Sequence, residues 1–293
     1  MSGVAQQKLG VIGGSGIYNL PNLEITGKMD VETPFGRPSD HLTIGRIAGT
    51  DVVFLPRHGA GHRHTPTELP YRANIYALKE LGVTHVLSVS AVGSLQQELA
   101  PLSIVLPDQI IDRSLLRPRT FFENGIVAHV GISEPFCPVF RSTLLACGDA
   151  LDQPVFDGGT YICIEGPQFS TKAESNLYRS WGASVIGMTA MPEARLAREA
   201  ELCYVTAAMV TDYDVWHASE GHVSVEMVLA NLHQNTDTGR ALIETLATRG
   251  LPERTCSCSV ALSNAIVTAP LAITQETKDR VGVIAARYLG TPG

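Results

Sequence analysis

Two carboxylates, Asp212 and Asp214, lie two residues apart directly after the apolar run Cys203–Val210. The run is typical of a buried strand, in which successive side chains alternate between faces. If extended geometry continued, both carboxylates would point toward the crevice that ligands occupy at strand ends in α/β sheets. Such a pair can accept hydrogen bonds from an amino group and handle a proton on a ring nitrogen. The alternative is a turn and helix cap before 215–232, and the aspartates alone leave both interpretations open.

A glycine-rich segment, Gly13–Gly16, follows the apolar run 9–12. Glycines expose backbone N–H groups without an obstructing Cβ, and Ser15 adds a hydroxyl donor, so the segment could cradle an anion. It lacks the third glycine of the dinucleotide-binding fingerprint and the Gly-Lys-Ser/Thr of a P-loop. A tight turn between a strand and a loop is the alternative interpretation.

Further polar side chains follow other apolar runs. Arg57 and His58 come after the run 51–55; Arg can hold an oxyanion through two hydrogen bonds, and His can donate another. Ser90 and Thr189 place hydroxyl groups after two more runs. Each of these residues could instead belong to an ordinary turn, cap or exposed loop. Together with the glycine segment, however, they predict a pocket for a small tetrahedral anion.

Strand-like and helix-like segments alternate along the chain. Apolar spacing and the stop signal Gly82 predict a helix over Tyr71–Leu81. The other predicted helices are 171–181, a segment with the i, i+4 pair Arg195 and Glu199, and about 224–246. The predicted strands are 9–12, 51–55, 84–89, 161–164, 185–186 and 202–210. The alternation predicts one α/β domain over residues 1–293, with a largely parallel or mixed sheet covered by helices on both faces.

The composition disfavours two classes of partner. The chain has 293 residues, 44% of them hydrophobic, and a formal net charge of −7. Nucleic-acid binding is disfavoured because it requires clustered Lys and Arg, which are scattered here. No apolar stretch reaches the roughly 18 residues of a membrane span, and Met1–Leu9 lacks the apolar region of a signal peptide. We therefore expect a cytoplasmic protein that binds neither nucleic acid nor membrane.

The cysteines suggest no metal site at the level of sequence. Cys163 and Cys203 lie in strand-like runs, where cysteine usually serves as a small hydrophobe. Cys256 and Cys258 are separated by one residue, whereas zinc ligands are normally separated by two to four. A redox role or a local disulfide is the alternative, although cytosolic disulfides are uncommon. We expect no bound metal.

Short motifs occur in a fixed order over about residues 8 to 235. They are Gly13–Gly16, Thr33–Gly36, Arg57–Gly59, Asn74–Lys79, Ala91–Ser94, Glu134–Pro138, Glu165–Ser170, Met188–Thr189, Pro192–Glu193 and Thr211–Asp214. In these motifs the chain resembles the trimeric purine nucleoside phosphorylases, and within them the 5′-methylthioadenosine phosphorylase family. The resemblance implies a mixed, partly barrel-like sheet wrapped by helices, and an active site at the interface of a homotrimer or a dimer of trimers. It also implies that phosphate, as co-substrate and without a cofactor, attacks the anomeric carbon of a purine nucleoside.

The resemblance also assigns roles by motif. Phosphate would be held by Ser15, Arg57, His58, Ser90, Ala91 and Thr189. The nucleoside would be contacted by Met188, Phe169, Asp212, Tyr213 and Asp214, with His129 reaching the 5′-substituent pocket of a neighbouring subunit. Ser170 and Val225 match positions that tune substrate choice. Asp212 would face N7 of the purine as general acid, since a buried carboxyl with a raised pKa can protonate a departing base.

The aspartate pair favours a 6-aminopurine. A carboxylate accepts a hydrogen bond from an amino group but repels a 6-oxo group unless it is protonated, and family members specialised for 6-oxopurines typically carry Asn in place of the base-reading Asp. The expected substrate is S-methyl-5′-thioadenosine, with methylthioinosine or purine nucleosides in general as the alternative. A nucleoside hydrolase or a binding protein without a phosphate requirement is a further alternative. Gly187 and Ser15 depart from many relatives, which have Asn and Thr there; Ser keeps the hydroxyl.

Overall fold

Eleven strands form one sheet in the computed structural model, which describes residues 7–14, 16–217 and 225–290, without the side chains of 225–230. The strands are β1 (Lys8–Gly13), β2 (Glu24–Met29), β3 (Leu42–Ile47), β4 (Thr50–Pro56), β5 (His85–Ser94), β6 (Ile104–Leu106), β7 (Gln109–Asp112), β8 (Val155–Asp157), β9 (Thr160–Cys163), β10 (Ala183–Gly187) and β11 (Cys203–Asp212). Their order is β2-β3-β4-β1-β5-β10-β9-β7, and β11, β6 and β8 continue from β5. Parallel and antiparallel pairs both occur, so the sheet is mixed.

Seven α-helices accompany the sheet in the described part of the chain. They are α1 (Tyr71–Glu80), α2 (Pro138–Gly148), α3 (Lys172–Ser180), α4 (Ala190–Glu199), α5 (Val225–Arg249), α6 (Gln275–Val281) and α7 (Ala286–Leu289). Short 3-10 turns cover Asp214–Trp216, Ser257–Val260, Pro270–Ala272 and Gly282–Ile284. Among the described helices, none combines the length and the apolar character needed to cross a membrane. The predicted α/β class, a mixed sheet flanked by helices, is confirmed.

Strand β11 is buried on both faces. All of its residues are buried, and alternate side chains enter different cores. Val205 and Met209 pack in a core that includes residues of α2 and α5. Tyr204 and Ala208 pack in a second core that includes residues of α1 and α4. Because side chains alternate along a strand, the continuous apolar run places helices on both sides of the sheet, as the sequence predicted.

Strand β5 connects the two halves of the sheet. One edge pairs with β11 from His85 to Gly93. The other edge pairs in parallel with β1 as far as Ser88, and then antiparallel with β10 at Gly93 and Ser94. The backbone N–H of Arg57, just after β4, donates to Gly13 at 2.9 Å. The carboxyl ends of β1, β4, β10 and β11 therefore meet along the second half of β5.

The structure extends β5 beyond the predicted strand 84–89 and adds strands that the sequence did not predict. Ser90, Gly93 and Ser94 interrupt the apolar run, yet they remain in the ladder. Strand β2 was missed because it is largely exposed and has no apolar face to recognise. Five of its six residues are exposed, so its register comes from pairing with β3 rather than from burial.

Gly187 leaves its side-chain space to Tyr161. Tyr161 pairs with Val185 across β9 and β10, so its ring lies on the same face as Gly187. A Cβ at Gly187 would lie 1.9 Å from the Tyr161 hydroxyl and 3.1 Å from Val92 Cγ1. Tyr161 is fully buried and has no room to move outward. The Asn that the family resemblance suggests at position 187 is therefore incompatible with Tyr161.

We expect Gly187→Ala to lower the free energy of unfolding by about 1–3 kcal/mol, because overpacking a buried site displaces its neighbours. Urea denaturation followed by circular dichroism measures this change. Gly27→Ala in β2 is the matched control, since a Cβ there meets no atom within 4 Å. It should change the free energy of unfolding by no more than about 0.5 kcal/mol. Wild-type stability in Gly187→Ala would contradict the close contact with Tyr161.

Candidate functional site

The two aspartates lie together beside Gly93. Asp212 and Asp214 are 5% and 4% exposed. A Cβ on Gly93 would lie 3.0 Å from Asp212 Oδ1 and 3.3 Å from Asp214 Cβ, so only glycine leaves both side chains room. The backbone between the two aspartates is not extended, in contrast to the geometry that the sequence suggested. The strand ends at Asp212, and Asp214, with φ of 54°, begins a 3-10 turn.

Local hydrogen bonds hold this pair in place. Asp212 accepts the Thr211 hydroxyl at 2.7 Å through Oδ2 and the Asp214 N–H at 2.8 Å through Oδ1. Burial raises the pKa of Asp214 above its ordinary value; Ser175 and the Val215 N–H oppose this, and the charge of Asp212 adds to it. Because the two carboxyls are neighbours, the charge of Asp212 disfavours ionisation of Asp214. The pair can therefore accept hydrogen bonds and can also carry a proton.

Tyr213 anchors the turn after β11. Its hydroxyl donates to Gln97 O at 3.2 Å, and its ring stacks on His217 at 4.6 Å. Trp216 Nε1 donates to Ser94 O at 2.8 Å, and Arg179 lies 3.4 Å above the Trp216 ring. These contacts fasten the turn after β11 to the end of β5, which fixes where the carboxylates point.

Arg57 is bound by Glu193 inside the protein. Its guanidinium donates to Glu193 Oε1 at 2.7 Å, to Ser88 Oγ at 2.6 Å and to Val89 O at 3.0 Å. Arg57 and Glu193 are 2% and 1% exposed. Burial disfavours the charge of Arg57, but Glu193 outweighs it and raises the pKa of the guanidinium. The bidentate acceptor of Arg57 is thus Glu193.

His58 adjoins Arg57 and is half-buried. Burial, with a smaller contribution from the charge of Arg57, lowers its pKa to about 4, although a hydrogen bond with His64 O opposes this. Nδ1 lies 2.9 Å from that carbonyl, so we assign the proton of the neutral ring to Nδ1. Its ring stacks on His62 at 4.1 Å. Near neutral pH, His58 therefore presents a lone pair at Nε2 rather than the donor that the sequence suggested.

Hydroxyl groups gather at the junction of β5, β9 and β10. Burial raises the pKa of the Tyr161 phenol, while the Ser90 side chain and the Thr189 backbone beside it act in the opposite direction. Ser90 and Thr189 are 8% and 6% exposed. Ser90 Oγ has no hydrogen-bond partner within the described part of the chain. Ala91 follows and is exposed. The Ser90 side chain and the Thr189 backbone thus both lie beside the Tyr161 hydroxyl.

Strand β5 sets the distance between the anion-binding residues and the aspartates. Arg57 contacts Val89, and the aspartates lie at Gly93. Four residue steps of a strand span about 13 Å. The predicted anion-binding residues and the aspartates therefore lie along one strand. Their separation suits a small organic molecule that contacts an anion at one end and an acid at the other.

Arg117 is a positioning residue that the sequence did not reveal. Its side chain is fully buried and donates at 2.6 Å to the carbonyl oxygens of Met188, Met191 and Glu165. These acceptors lie 71, 74 and 48 positions away. Arg117 has no motif around it, and a single sequence carries no signal for such distant backbone partners. It fixes the segments that carry Met188-Thr189 and Phe169-Ser170.

Glu165 completes this arrangement. Its carboxylate accepts the Arg117 Nε–H at 3.0 Å and the Thr67 hydroxyl at 2.6 Å. Burial raises the pKa of Glu165, but hydrogen bonds from the backbone N–H groups of Leu115 and Leu116, from Thr67 and from Arg117 outweigh it and lower the pKa to about 2. Glu165 is therefore ionised at neutral pH and holds Arg117 as its counter-ion.

The remaining predicted site residues differ in how exposed they are. Met188 is half-buried, Phe169 is 50% exposed, and Ser170 has a buried hydroxyl without a hydrogen-bond partner among the described residues. His129 is exposed, and its backbone pairs with Ala265 rather than with the strand ends. Ser15 and the Val225 side chain lie outside the described residues.

A cavity of about 250 Å³ lies in the C-terminal segment, away from the predicted site residues. Leu262, Ile266, Ile273 and Lys278 are among its lining residues. Since the aspartate pair and the buried hydroxyl groups lie at the strand ends instead, we place the functional site there.

Comparisons with known proteins agree with this geometry. A family model described as the phosphorylase superfamily matches residues 8–248. The S-methyl-5′-thioadenosine phosphorylase of Geobacter sulfurreducens is 52% identical over 97% of this chain and 100% of its own length. A crystal structure of a methylthioadenosine phosphorylase from an antarctic soil metagenomic library superposes with a TM-score of 0.90 at 46% identity, over 96% of this chain and 99% of that one. The Schistosoma mansoni methylthioadenosine phosphorylase in complex with adenine gives 0.78 at 37% identity, over 83% and 91%. The chain belongs to the phosphorylase superfamily.

Proposed function

We propose that the chain catalyses phosphorolysis of S-methyl-5′-thioadenosine, a pentosyl transfer that yields adenine and 5-methylthioribose 1-phosphate. The observation that carries the proposal is the buried pair Asp212 and Asp214, which lies beside Gly93 of β5, the same strand that contacts Arg57 and carries Ser90. The names of relatives that match nearly the whole chain support the choice of substrate. Inorganic phosphate is the co-substrate, and no cofactor takes part.

Phosphate binding is proposed at the junction of β1, β4, β5 and β10. The proposed ligands are Ser15, Arg57, His58, Ser90, Ala91 and Thr189. Arg57 contributes one N–H, because Glu193 occupies its bidentate face. The charge of bound phosphate favours the protonated form of His58, which can then donate from Nε2. The Arg57–Glu193 pair keeps a positive group in a buried site without leaving its charge uncompensated.

Bond cleavage is proposed to proceed by charge stabilisation at both ends of the nucleoside. Breaking the glycosidic bond develops positive charge on the sugar, which adjacent phosphate stabilises. The departing purine develops negative charge and needs a proton at N7. Asp212 delivers that proton as general acid from a buried pair that excludes water. Asp214 accepts a hydrogen bond from the 6-amino group, while Met188, Phe169 and Tyr213 contribute to the walls of the sugar and base pockets.

Assembly and compartment complete the proposal. We propose a homotrimer or a dimer of trimers in the cytoplasm, in which His129 reaches the 5′-substituent pocket of a neighbouring subunit. The exposure of His129 supports this arrangement. Ser170, with its buried hydroxyl, and Val225 are the proposed specificity positions.

Assays with four nucleosides test the reaction directly. Purified protein is incubated with methylthioadenosine, adenosine, methylthioinosine and inosine, each with and without phosphate, and base release is followed by chromatography. Methylthioadenosine should react best, and only with phosphate. Base release that ignores phosphate would indicate a hydrolase, and faster release from methylthioinosine would indicate a 6-oxopurine enzyme.

Asp212→Asn should retain the fold and lose about 10²- to 10⁴-fold in kcat, the usual contribution of a general acid. Steady-state kinetics with methylthioadenosine measure the loss, and thermal unfolding checks the fold. Asp152→Asn, which changes an exposed aspartate in the same way, is the control and should keep wild-type turnover. Normal turnover in Asp212→Asn would reject the general-acid assignment.

Substrate preference should depend on pH through Asp214. Because its pKa is raised, acidification neutralises this carboxyl earlier than an ordinary aspartate. A protonated Asp214 can donate to a 6-oxo group and is a weaker acceptor for a 6-amino group, so the ratio of kcat/KM for methylthioadenosine to that for methylthioinosine should fall as pH falls. Asp214→Asn should lower this ratio by about 10- to 100-fold at neutral pH and remove its pH dependence. A pH-dependent ratio in the variant would place the titration on another group.

Arg117→Met should lower kcat by about 100-fold, because displaced binding segments misplace the reacting groups. The KM for phosphate should rise, since Thr189 follows the Met188 carbonyl that Arg117 holds. Arg119→Met is the control: Arg119 lies in the same loop but donates to Ser114 O outside the site. Equal kinetic effects of the two substitutions would mean that only loop stability is involved.

A further inference from the structure

Four cysteines from three parts of the chain converge on one point. Cys137 is the N-cap of α2, Cys203 begins β11, and Cys256 and Cys258 belong to the segment after α5. Their Sγ atoms all lie within 4.8 Å of one another, and all four are free thiols. The sequence-based expectation of no metal-ligand cluster is therefore corrected, because Cys137 and Cys203 lie 119 and 53 positions from Cys256.

The sulfur positions suit a common centre. Cys256 Sγ lies 3.5 Å from both Cys137 Sγ and Cys203 Sγ. Four sulfurs placed tetrahedrally at the zinc–sulfur bond length of about 2.3 Å are about 3.8 Å apart. Equal distances from one sulfur to two others fit four ligands around one ion better than two separate pairs. The short Cys-Ser-Cys spacing is workable here because the other two ligands come from α2 and β11.

Hydrogen-bond donors and positive charge surround the sulfur atoms. Cys137 Sγ accepts the Phe140 N–H at 3.5 Å, at the positive amino end of α2. Arg198 Nη1 donates to Cys258 Sγ at 3.4 Å, and Arg254 lies beside Cys203. Four thiolates around a divalent cation carry a net charge of −2, which two guanidinium groups can balance. Such outer hydrogen bonds orient ligands and are typical of metal centres.

We propose that Cys137, Cys203, Cys256 and Cys258 bind one Zn²⁺ as a structural tetrathiolate site. Zinc suits four soft sulfur ligands in tetrahedral geometry, and four protein ligands leave no position for substrate. Binding releases the thiol protons to solvent and transfers no electrons. The ion ties the segment after α5 to the amino ends of α2 and β11, at the opposite end of β11 from the aspartate pair, since Cys203 and Asp212 are its first and last residues.

Metal analysis of the whole protein tests the proposal. The chain is expressed in zinc-supplemented medium, purified without chelator or added metal, and measured by inductively coupled plasma mass spectrometry. We expect about one zinc per chain, released in full when a mercurial reagent titrates the thiols. Cys256→Ser and Cys258→Ser should lose the zinc, whereas Cys147→Ser, which changes a buried cysteine outside the cluster, should retain it. Cobalt substitution should give the visible bands of a tetrahedral thiolate complex.

Other outcomes overturn the proposal. Less than about one-tenth of a zinc per chain, with the four thiols alkylated readily, would make the cluster a reduced core. Two disulfides found by non-reducing peptide mapping would show that the cysteines form covalent cross-links instead of a metal site. Stoichiometric iron would show that the bound ion is iron and not zinc. If the serine variants do not fold, mercurial release from the wild-type protein still decides the matter. Removing zinc from the wild type should also lower its melting temperature, and an unchanged melting temperature would contradict a structural role.

Discussion

The pairing of β5 with β11 is the constraint on which the site depends. It keeps one register from His85 to Val92, and a register shift between Val210 and Asp212 then brings Asp212 opposite Gly93, the glycine that leaves room for it. Along its opposite edge, β5 pairs with β1 as far as Ser88 and with β10 at Gly93 and Ser94. This change of partner leaves the second half of β5 accessible to the loops after β1, β4 and β10. A one-residue slip would turn every side chain of β11 to the other face and separate the aspartates from Gly93.

Two ion pairs hold the loops around this strand, one fully buried and one with a partly exposed carboxylate. Arg57 with Glu193, and Arg117 with Glu165, combine a guanidinium and a carboxylate with hydroxyl or carbonyl partners. Removing one partner of a buried pair typically costs about 3–5 kcal/mol, because a charge is left uncompensated. Such pairs contribute less to net stability than to a defined arrangement. Here they fix polar groups before substrate arrives, so that little reorganisation is required during the reaction.

Sequence reasoning succeeded where chemistry follows a strand directly. The run Cys203–Val210 predicted β11, and the polar residues that follow the predicted strands 51–55, 84–89 and 185–186 were predicted to converge because strand ends meet at one edge. It failed where position depends on distant partners. The proton of His58, the bidentate partner of Arg57 and the carbonyl partners of Arg117 are set by residues 6 to 136 positions away. Local spacing carries no information about such contacts.

Two glycines and four cysteines also have roles that depend on residues far away in the sequence. Gly93 and Gly187 gave no signal beyond turn propensity, yet each is required by a side chain on another strand. The cysteines were judged by their separation along the chain, whereas α2, β11 and the segment after α5 bring four of them together. In both cases the role of the residue depends on its neighbours in the folded structure, which the sequence alone does not give.

The surface around His129 extends the argument beyond a single chain. Val127 accepts the backbone N–H of Val267 at 3.0 Å, and His129 donates to Ala265 at 2.8 Å, so these segments lie side by side. Val127 and Val267 are 45% and 58% exposed, and nearby in sequence Leu271 is fully exposed. Exposed apolar side chains in neighbouring segments are typical of a surface that another chain covers. The exposed His129 lies among these side chains, so the assembly proposed above would cover them as well as His129.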